Sequence, residues 1–100
     1  MENMIEKAKE IIKTKSGQYR TVYVHISLKQ AIDFTALWEG YSFSEENGSL
    51  SIIGNIDNEP QNLFIDINKI RNISILENEK GYPVTVGFLF DDSKIFFEFV

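Results

Sequence analysis

Residues 84–100 read VTVGFLFDDSKIFFEFV, which predicts a β-hairpin with apolar side chains on both faces. Side chains alternate across a strand, so one face collects most of the aromatic and branched residues. Leu89, Phe96 and Val100 point to the opposite face. Because an antiparallel sheet commonly leaves one face in water, a hairpin that is apolar on both sides needs cover. We expect that cover to come from another part of the chain, a second copy or a different partner.

The polar residues in the middle of this stretch predict the turn of the hairpin. A turn at residues 92–93 would place Phe88 opposite Phe97 and Gly87 opposite Glu98. In this register, Gly87 leaves a gap in the apolar second face.

The composition indicates a single folded domain that spans residues 1–100. The chain is 43% hydrophobic and 13% aromatic, which is typical of a globular protein with a core. Its net charge of −5 argues against a protein that coats nucleic acid or an anionic membrane. It contains no cysteine, so disulfides, thiolate metal sites and a cysteine nucleophile are excluded.

The N-terminal residues and the amino-acid composition indicate the expected cellular location and source of the protein. Met1–Met4 lack the basic region and apolar run of a signal peptide, and no apolar stretch reaches the roughly 20 residues that span a bilayer. We therefore expect a cytoplasmic protein without membrane contact. Residues with AT-rich codons, such as Ile, Asn, Lys and Phe, are frequent, so a low-GC bacterium or its phage is the expected source.

Residues 3–15 show the pattern of an amphipathic helix. Asn3 can cap its first turn, and Glu6 completes a capping-box pair. An apolar stripe that includes Ile12 recurs at helical spacing, and Gly17 is placed to end the helix. We expect this helix to pack on a sheet through one face.

The next two segments differ in how clearly they indicate their structure. Residues 20–28 alternate between apolar and polar side chains, which predicts a strand. Residues 29–39 are ambiguous, because a strand would place Phe34 and Trp38 on one face, whereas a helix would end at Gly40. The strand is favoured, since β-branched and aromatic residues dominate and the neighbouring segments are strands.

Residues 41–56 predict a second hairpin, because Asn47–Gly48 is a favoured pair for a type I′ turn. With that turn, Phe43 lies opposite Ile52 on the same face. Residues 57–61 are predicted to form a loop.

Two short strands near residues 63–67 and 73–75 and a polar loop at residues 77–83 complete the pattern. The sequence thus predicts an α+β fold that is mostly β. The helix at 3–15 precedes a meander of six to eight antiparallel strands over residues 20–100, which forms a small barrel or a strongly bent sheet. This order of elements resembles the architecture of small Sm-like and SH3-like barrels. None of the motifs of those families is present, so the resemblance implies no site residue and no function.

Residues with catalytic or ligand-binding chemistry are sparse. His25 is the only histidine and has no carboxylate nearby in the sequence to orient it, so we interpret it as a surface residue. Acidic pairs such as Glu45–Glu46 and Asp91–Asp92 lack the spacing of a calcium loop. The glycines are isolated, and none opens a helix as a phosphate-binding loop would. We predict no catalytic residue, no cofactor and no metal site.

Aromatic residues near Gly40 have two interpretations. Aromatic side chains dominate both cores and binding hot spots, and core packing is the favoured interpretation here. The candidate protein-binding surface combines this aromatic run with the second face of the last hairpin: Trp38, Tyr41, Phe43, Leu89, Phe96 and Val100.

Tyr19, Arg20 and Tyr23 form a candidate nucleic-acid patch. Outward aromatic rings beside a basic side chain can stack on the bases of a single strand. Cross-strand packing of the two tyrosines is the favoured alternative, and nucleic acid is not the expected partner.

The preferred hypothesis is a non-enzymatic protein–protein interaction module that binds a protein partner or a second copy of itself. One alternative is a phage-encoded inhibitor of a host defence protein. Another is a small barrel that binds a ligand or single-stranded nucleic acid.

Overall fold

The computed structural model describes residues 2–16, 21–28, 32–77 and 84–99. Within them the chain forms one α-helix, eight strands and a short 3-10 helix: α1 (Glu2–Lys15), β1 (Val22–Leu28), β2 (Ile32–Trp38), β3 (Tyr41–Glu46), β4 (Ser49–Ile56), β5 (Glu59–Asp66), the 3-10 helix (Ile67–Lys69), β6 (Asn72–Leu76), β7 (Val84–Leu89) and β8 (Ser93–Phe99). All strand pairs are antiparallel. The prediction of an N-terminal helix followed by a mostly β fold is confirmed.

The strands form two sheets rather than a closed barrel. The five-stranded sheet has the order β2-β1-β8-β7-β6, and the three-stranded sheet has the order β3-β4-β5. The predicted meander is interrupted, because β1 pairs with β8 and not only with its neighbour in sequence. Gly40, with a φ of 116°, bends the chain from β2 in one sheet into β3 in the other. No ladder among the described strands joins the two sheets, so the predicted barrel is not formed.

The core lies between the inner faces of the two sheets. Phe88, Phe97 and Phe99 of the five-stranded sheet are fully buried, and α1 adds Ile11 and Ile12 to the same cluster. The helix therefore packs through its apolar stripe, as its spacing predicts.

A close contact between a ring and a backbone holds the two sheets together. The ring of Trp38 on β2 packs against Gly54 on β4, where an added Cβ atom would lie 2.0 Å from the ring. Only glycine fits at this position, because no side chain can share that space. Trp38 is 4% exposed.

The ambiguous segment is a strand. β2 pairs with β1 along its whole length, from Val22 opposite Trp38 to Leu28 opposite Ile32. The helical alternative is wrong for residues 32–38, because pairing with β1 buries Ala36 and Trp38 in the core. Residues 29–31 lie outside the described part of the chain.

The second hairpin has the predicted turn and register. Asn47 and Gly48 have positive φ values of 51° and 79°, and Phe43 lies opposite Ile52. The predicted loop at residues 57–61 is confirmed at residues 57–58 and wrong for residues 59–61, which belong to β5. Asp57 and Asn58 also adopt positive φ and make a second two-residue turn, so β5 begins directly after them, at Glu59.

The last hairpin forms, but its turn is shifted by one residue. Asp91 and Asp92 are the turn residues, because Phe90 N–H donates a hydrogen bond of 2.8 Å to the Ser93 carbonyl. Gly87 therefore lies opposite Phe96 instead of Glu98, and the predicted register is wrong by two residues. A shift of two keeps every side chain on its predicted face. The predicted polar loop at 77–83 lies outside the described residues except for its first residue.

Candidate protein-interaction surface

Exposed apolar side chains concentrate on the β1–β2 hairpin, residues 22–38. Seven large apolar side chains are exposed among the described residues, and four of them belong to this hairpin: Tyr23, Leu28, Phe34 and Leu37. The other three are scattered over α1, β5 and β6: Met4, Phe64 and Leu76. Phe34 is 55% exposed and Leu37 is 45% exposed, and they lie on opposite faces of β2. The strand thus presents apolar surface on both sides.

β2 is also an outer strand, and its far edge carries no strand among the described residues. The next residue, Glu39, donates its N–H to the Asn55 carbonyl at 3.0 Å, on the side away from β1. Backbone groups of residues two apart point the same way in a strand, so those of Leu37, Thr35 and Asp33 point to the same side. The N–H and C=O groups of these three residues have no partner within the described part of the chain, whereas Phe34 and Ala36 pair with β1.

Side chains of the helix contact β3, an outer strand of the three-stranded sheet. Lys9 of α1 forms a salt bridge of 2.9 Å with Glu45 on β3. The Tyr41 hydroxyl donates a hydrogen bond to the Ile12 carbonyl. These contacts place side chains of α1 beside β3, where they hinder the approach of another chain to this edge.

The outer edges of β5 and β6 are each protected in part. Pro60 lies near the start of β5 and has no N–H to offer an added strand. On β6, Ile73 N–H donates to the Asn72 side chain at 2.9 Å, so this donor is already satisfied. Lys7 of α1 reaches Glu77, just after β6, at 2.9 Å. β2 has none of these features that protect an edge strand. Its seven residues include no Pro, Gly or Lys and only one charged side chain.

The outer face of the five-stranded sheet, which does not carry the core residues, is partly open. Phe96 lies across Gly87, where an added Cβ atom would be 2.3 Å from the ring. Phe96 thereby shields backbone of the neighbouring strand and is itself half-buried, as is Leu89. No described side chain on this face is fully buried, so the described residues do not supply the expected covering neighbour.

His25 lies in the middle of this outer face. Its Nδ1 atom is 3.2 Å from Thr35 Oγ1, and its Nε2 atom is 3.7 Å from Glu98 Oε2. The Tyr23 ring stacks beside it, with ring centroids 6.3 Å apart. Folding therefore supplies a carboxylate from β8 that the local sequence does not contain.

The Thr35 hydroxyl, the His25 imidazole and the Glu98 carboxylate follow one another in the order of a hydrolytic triad. Their surroundings, however, are not those of an active site. The three side chains come from adjacent strands on an exposed sheet face, and the imidazole is 40% exposed. A nucleophilic site also needs donors for a developing oxyanion and a concave pocket for a substrate. The clefts that line the described surface are formed by other residues.

A cleft of about 470 Å³ lies between α1 and β3. Lys9 in this cleft already has two carboxylate partners, because it contacts Glu6 at 2.8 Å and Glu45 at 2.9 Å. The hydrogen bonds that Lys9 donates to these two carboxylates raise its pKa. Glu10 and Lys13 also line the cleft, so its surface carries charges of both signs.

The structure separates the residues of the predicted protein-binding surface. Trp38 is buried on the inner side of the sheet, which corrects its placement on a surface. Tyr41 and Phe43 are half-buried and pack against the core cluster. Two further members, Leu89 and Phe96, lie on the outer face of the other sheet, and Val100 lies outside the described residues.

Only one member of the predicted nucleic-acid patch can be placed. Tyr23 is 36% exposed on the outer face, between Leu37 of β2 and Glu98 of β8. Tyr19 and Arg20 lie outside the described residues. A carboxylate beside the ring disfavours the approach of a phosphate backbone.

Sequence reasoning missed Phe34 and Leu37 as surface residues. The alternation of β2 correctly places Phe34 on the core face, but the edge position leaves it largely exposed. One feature of the sequence could have indicated an exposed edge strand: the apolar Leu37 lies on the outer face of a segment that contains no Pro, Gly or Lys.

No described helix is long and apolar enough to cross a membrane. The described residues also contain no group of three or more His, Cys, Asp or Glu side chains arranged to hold a metal ion. Comparison with protein-family models, with curated proteins and with solved structures gave no match.

Proposed function

We propose that this protein is a non-enzymatic interaction domain that binds an extended segment of a protein partner along the free edge of β2. The observation that carries the proposal is the combination of open backbone groups and exposed apolar side chains on this one strand. Strand addition uses both, because backbone hydrogen bonds supply affinity and alternate side chains supply specificity.

Each side of the strand has a role in this proposal. The backbone groups of Asp33, Thr35 and Leu37 would pair with the incoming strand. Phe34 on the inner face and Leu37 on the outer face would contact its side chains, and both are exposed enough to gain from burial. The β1–β2 pairing holds the edge in place before the partner arrives, which lowers the entropy cost of binding.

The other hypotheses have less support. An inhibitor of a host protein would be a special case of this proposal, since it would engage its target through the same edge. Binding of single-stranded nucleic acid is disfavoured by Glu98 beside Tyr23 and by the net charge of −5. A ligand-binding barrel is disfavoured because the two sheets do not close.

Thr35→Pro tests the proposal at the centre of the edge. Proline removes the outward N–H and places a ring where an added strand would lie, while the bonds to β1 remain. Thr35→Val is the matched control, because it also loses the hydroxyl but keeps the N–H. A random peptide library would be selected against both variants and the wild type, each immobilised at low density.

We expect peptides with alternating apolar residues to be enriched on the wild type and on Thr35→Val, and not on Thr35→Pro. Equal enrichment on all three proteins, or enrichment on none, would contradict the proposal.

A further inference from the structure

We infer that the incoming strand is β2 of a second copy of this chain, so that two five-stranded sheets join into one continuous sheet. This inference rests on the proposed strand addition and names its partner. The two copies would pair antiparallel over Asp33–Leu37, with a two-fold axis at Thr35.

The geometry of the edge defines this register. The free stretch ends before Glu39, whose N–H is already bonded to Asn55. Hydrogen-bonded pairs must join outward-pointing residues, which are Asp33, Thr35 and Leu37. Pairing about Thr35 uses all three from each copy and forms about six hydrogen bonds, more than any shifted register allows.

The side chains can be accommodated in this register without bringing like charges together. Asp33 of one copy lies opposite Leu37 of the other, so the two carboxylates stay about 14 Å apart along the strand. On the inner face, the exposed Phe34 ring lies beside Ala36 of the second copy, so a large side chain meets a small one. At the axis two Thr35 residues face each other, a favourable cross-strand pair.

The charge pattern favours a second copy over a strongly charged partner. β2 carries a single charge, and pairing with itself brings no like charges opposite each other. Each copy nevertheless has a net charge of −5, so the two molecules repel at long range. Added salt screens this repulsion, and we expect it to strengthen the dimer.

Sedimentation equilibrium of the wild type over a wide concentration range is the first measurement. We expect the mass to rise from 11.5 kDa for one chain toward twice that value. Thr35→Pro should weaken the dimer at least tenfold, and Thr35→Val should retain it.

Amide hydrogen exchange tests the register directly. Raising the concentration should slow exchange at Asp33, Thr35 and Leu37, whose N–H groups become bonded in the dimer. Phe34 and Ala36 should not change, because their N–H groups already pair with β1.

A cysteine cross-link provides an independent test, since the chain has no cysteine of its own. Paired residues at the axis have Cα atoms about 5.5 Å apart, within the range of a disulfide. Mild oxidation should therefore link Thr35→Cys into a covalent dimer. Ser74→Cys, exposed on the same outer face of β6, should not cross-link efficiently.

The outcomes separate this inference from the proposed function. A wild type that stays monomeric, or a dimer that Thr35→Pro leaves unchanged, overturns the self-pairing. Peptides selected on the wild type but not on Thr35→Pro would still support strand addition in that case. If Thr35→Pro loses both the dimer and the binding of the selected peptides, the result supports both the proposed strand addition and the self-pairing of β2.

Discussion

Tyr41 links three parts of the molecule through one side chain. Its hydroxyl donates to the Ile12 carbonyl of α1, and its ring lies 6.0 Å from the ring of Phe99 in β8. Burial raises the pKa of this tyrosine above its ordinary value, because the charged phenolate would lose its hydration. The helix is therefore held to the sheets by a bond that requires the neutral hydroxyl.

Tyr41→Phe should lower the free energy of unfolding by about 1 kcal/mol. The loss is moderate, because the Ile12 carbonyl still accepts a hydrogen bond from Ser16 N–H at 3.2 Å. Urea denaturation at neutral pH, followed by circular dichroism, would measure it.

The same substitution should change the response to alkali. Above a pH of about 10, the unfolded chain releases the tyrosine proton while the folded chain keeps it, so stability falls as the pH rises. The phenylalanine variant lacks this component. We expect the difference in stability between the two proteins to shrink at high pH, and a constant difference would argue against the buried neutral hydroxyl.

At the level of the element, β2 has two functionally different sets of backbone groups. Even-numbered residues such as Ala36 pair with β1, and odd-numbered residues such as Thr35 point away from it. The sheet depends on the first set, whereas the proposed binding uses the second. Neighbouring residues should therefore respond very differently to the same substitution.

Ala36→Pro should destabilise the protein by about 2–4 kcal/mol, because it removes a ladder hydrogen bond and crowds β1. Thr35→Pro should stay within about 1 kcal/mol of the wild type, since the Thr35 N–H has no partner among the residues that the structure describes. Thermal unfolding at low protein concentration would compare the two. A large loss in Thr35→Pro would show that the outward direction of this N–H is misassigned.

At the level of the whole molecule, β8 is the central strand of the larger sheet and carries much of the core. Phe97 is 1% exposed, and its ring lies 6.2 Å from Trp38 and 6.3 Å from Phe88. Because Trp38 also packs on Gly54 of the other sheet, the two sheets share one core. We expect them to unfold in one cooperative transition.

Phe97→Ala should reduce the stability of both sheets together, by about 3–5 kcal/mol. Phe64→Ala is the control, because this ring is 68% exposed and its removal should change stability by no more than about 0.5 kcal/mol. Fluorescence of Trp38 and far-ultraviolet circular dichroism would follow the transition. Separate midpoints for the two signals would contradict a shared core.

Local patterns in the sequence predict much of this fold. Asn47–Gly48 specifies its turn through positive φ at both residues, and alternation assigns the faces of β1 and β8. Sequence reasoning misplaces the turn at Asp91–Asp92 by one residue. The predicted and the observed register put the same side chains on each face of the hairpin, so alternation cannot distinguish them. The observed register depends on the packing of Phe96 over Gly87.

The candidate binding edge is less accessible to sequence reasoning. Alternation places Phe34 on the core face but does not say that β2 is an outer strand. That position follows from the pairing of β1 with β8, which joins segments distant in the sequence. Burial of Trp38 likewise depends on Gly54, from a different hairpin.

The pairing of β1 with β8 also determines how the domain would respond to mechanical load. Val22 at the start of β1 lies opposite Phe99 at the end of β8, so a load applied at these two residues would act at the same end of one ladder. Tension applied there would open the hydrogen bonds one after another, like a zipper, instead of shearing them all at once. We expect a domain with this topology to unfold at low force in this pulling direction even when its thermal stability is high.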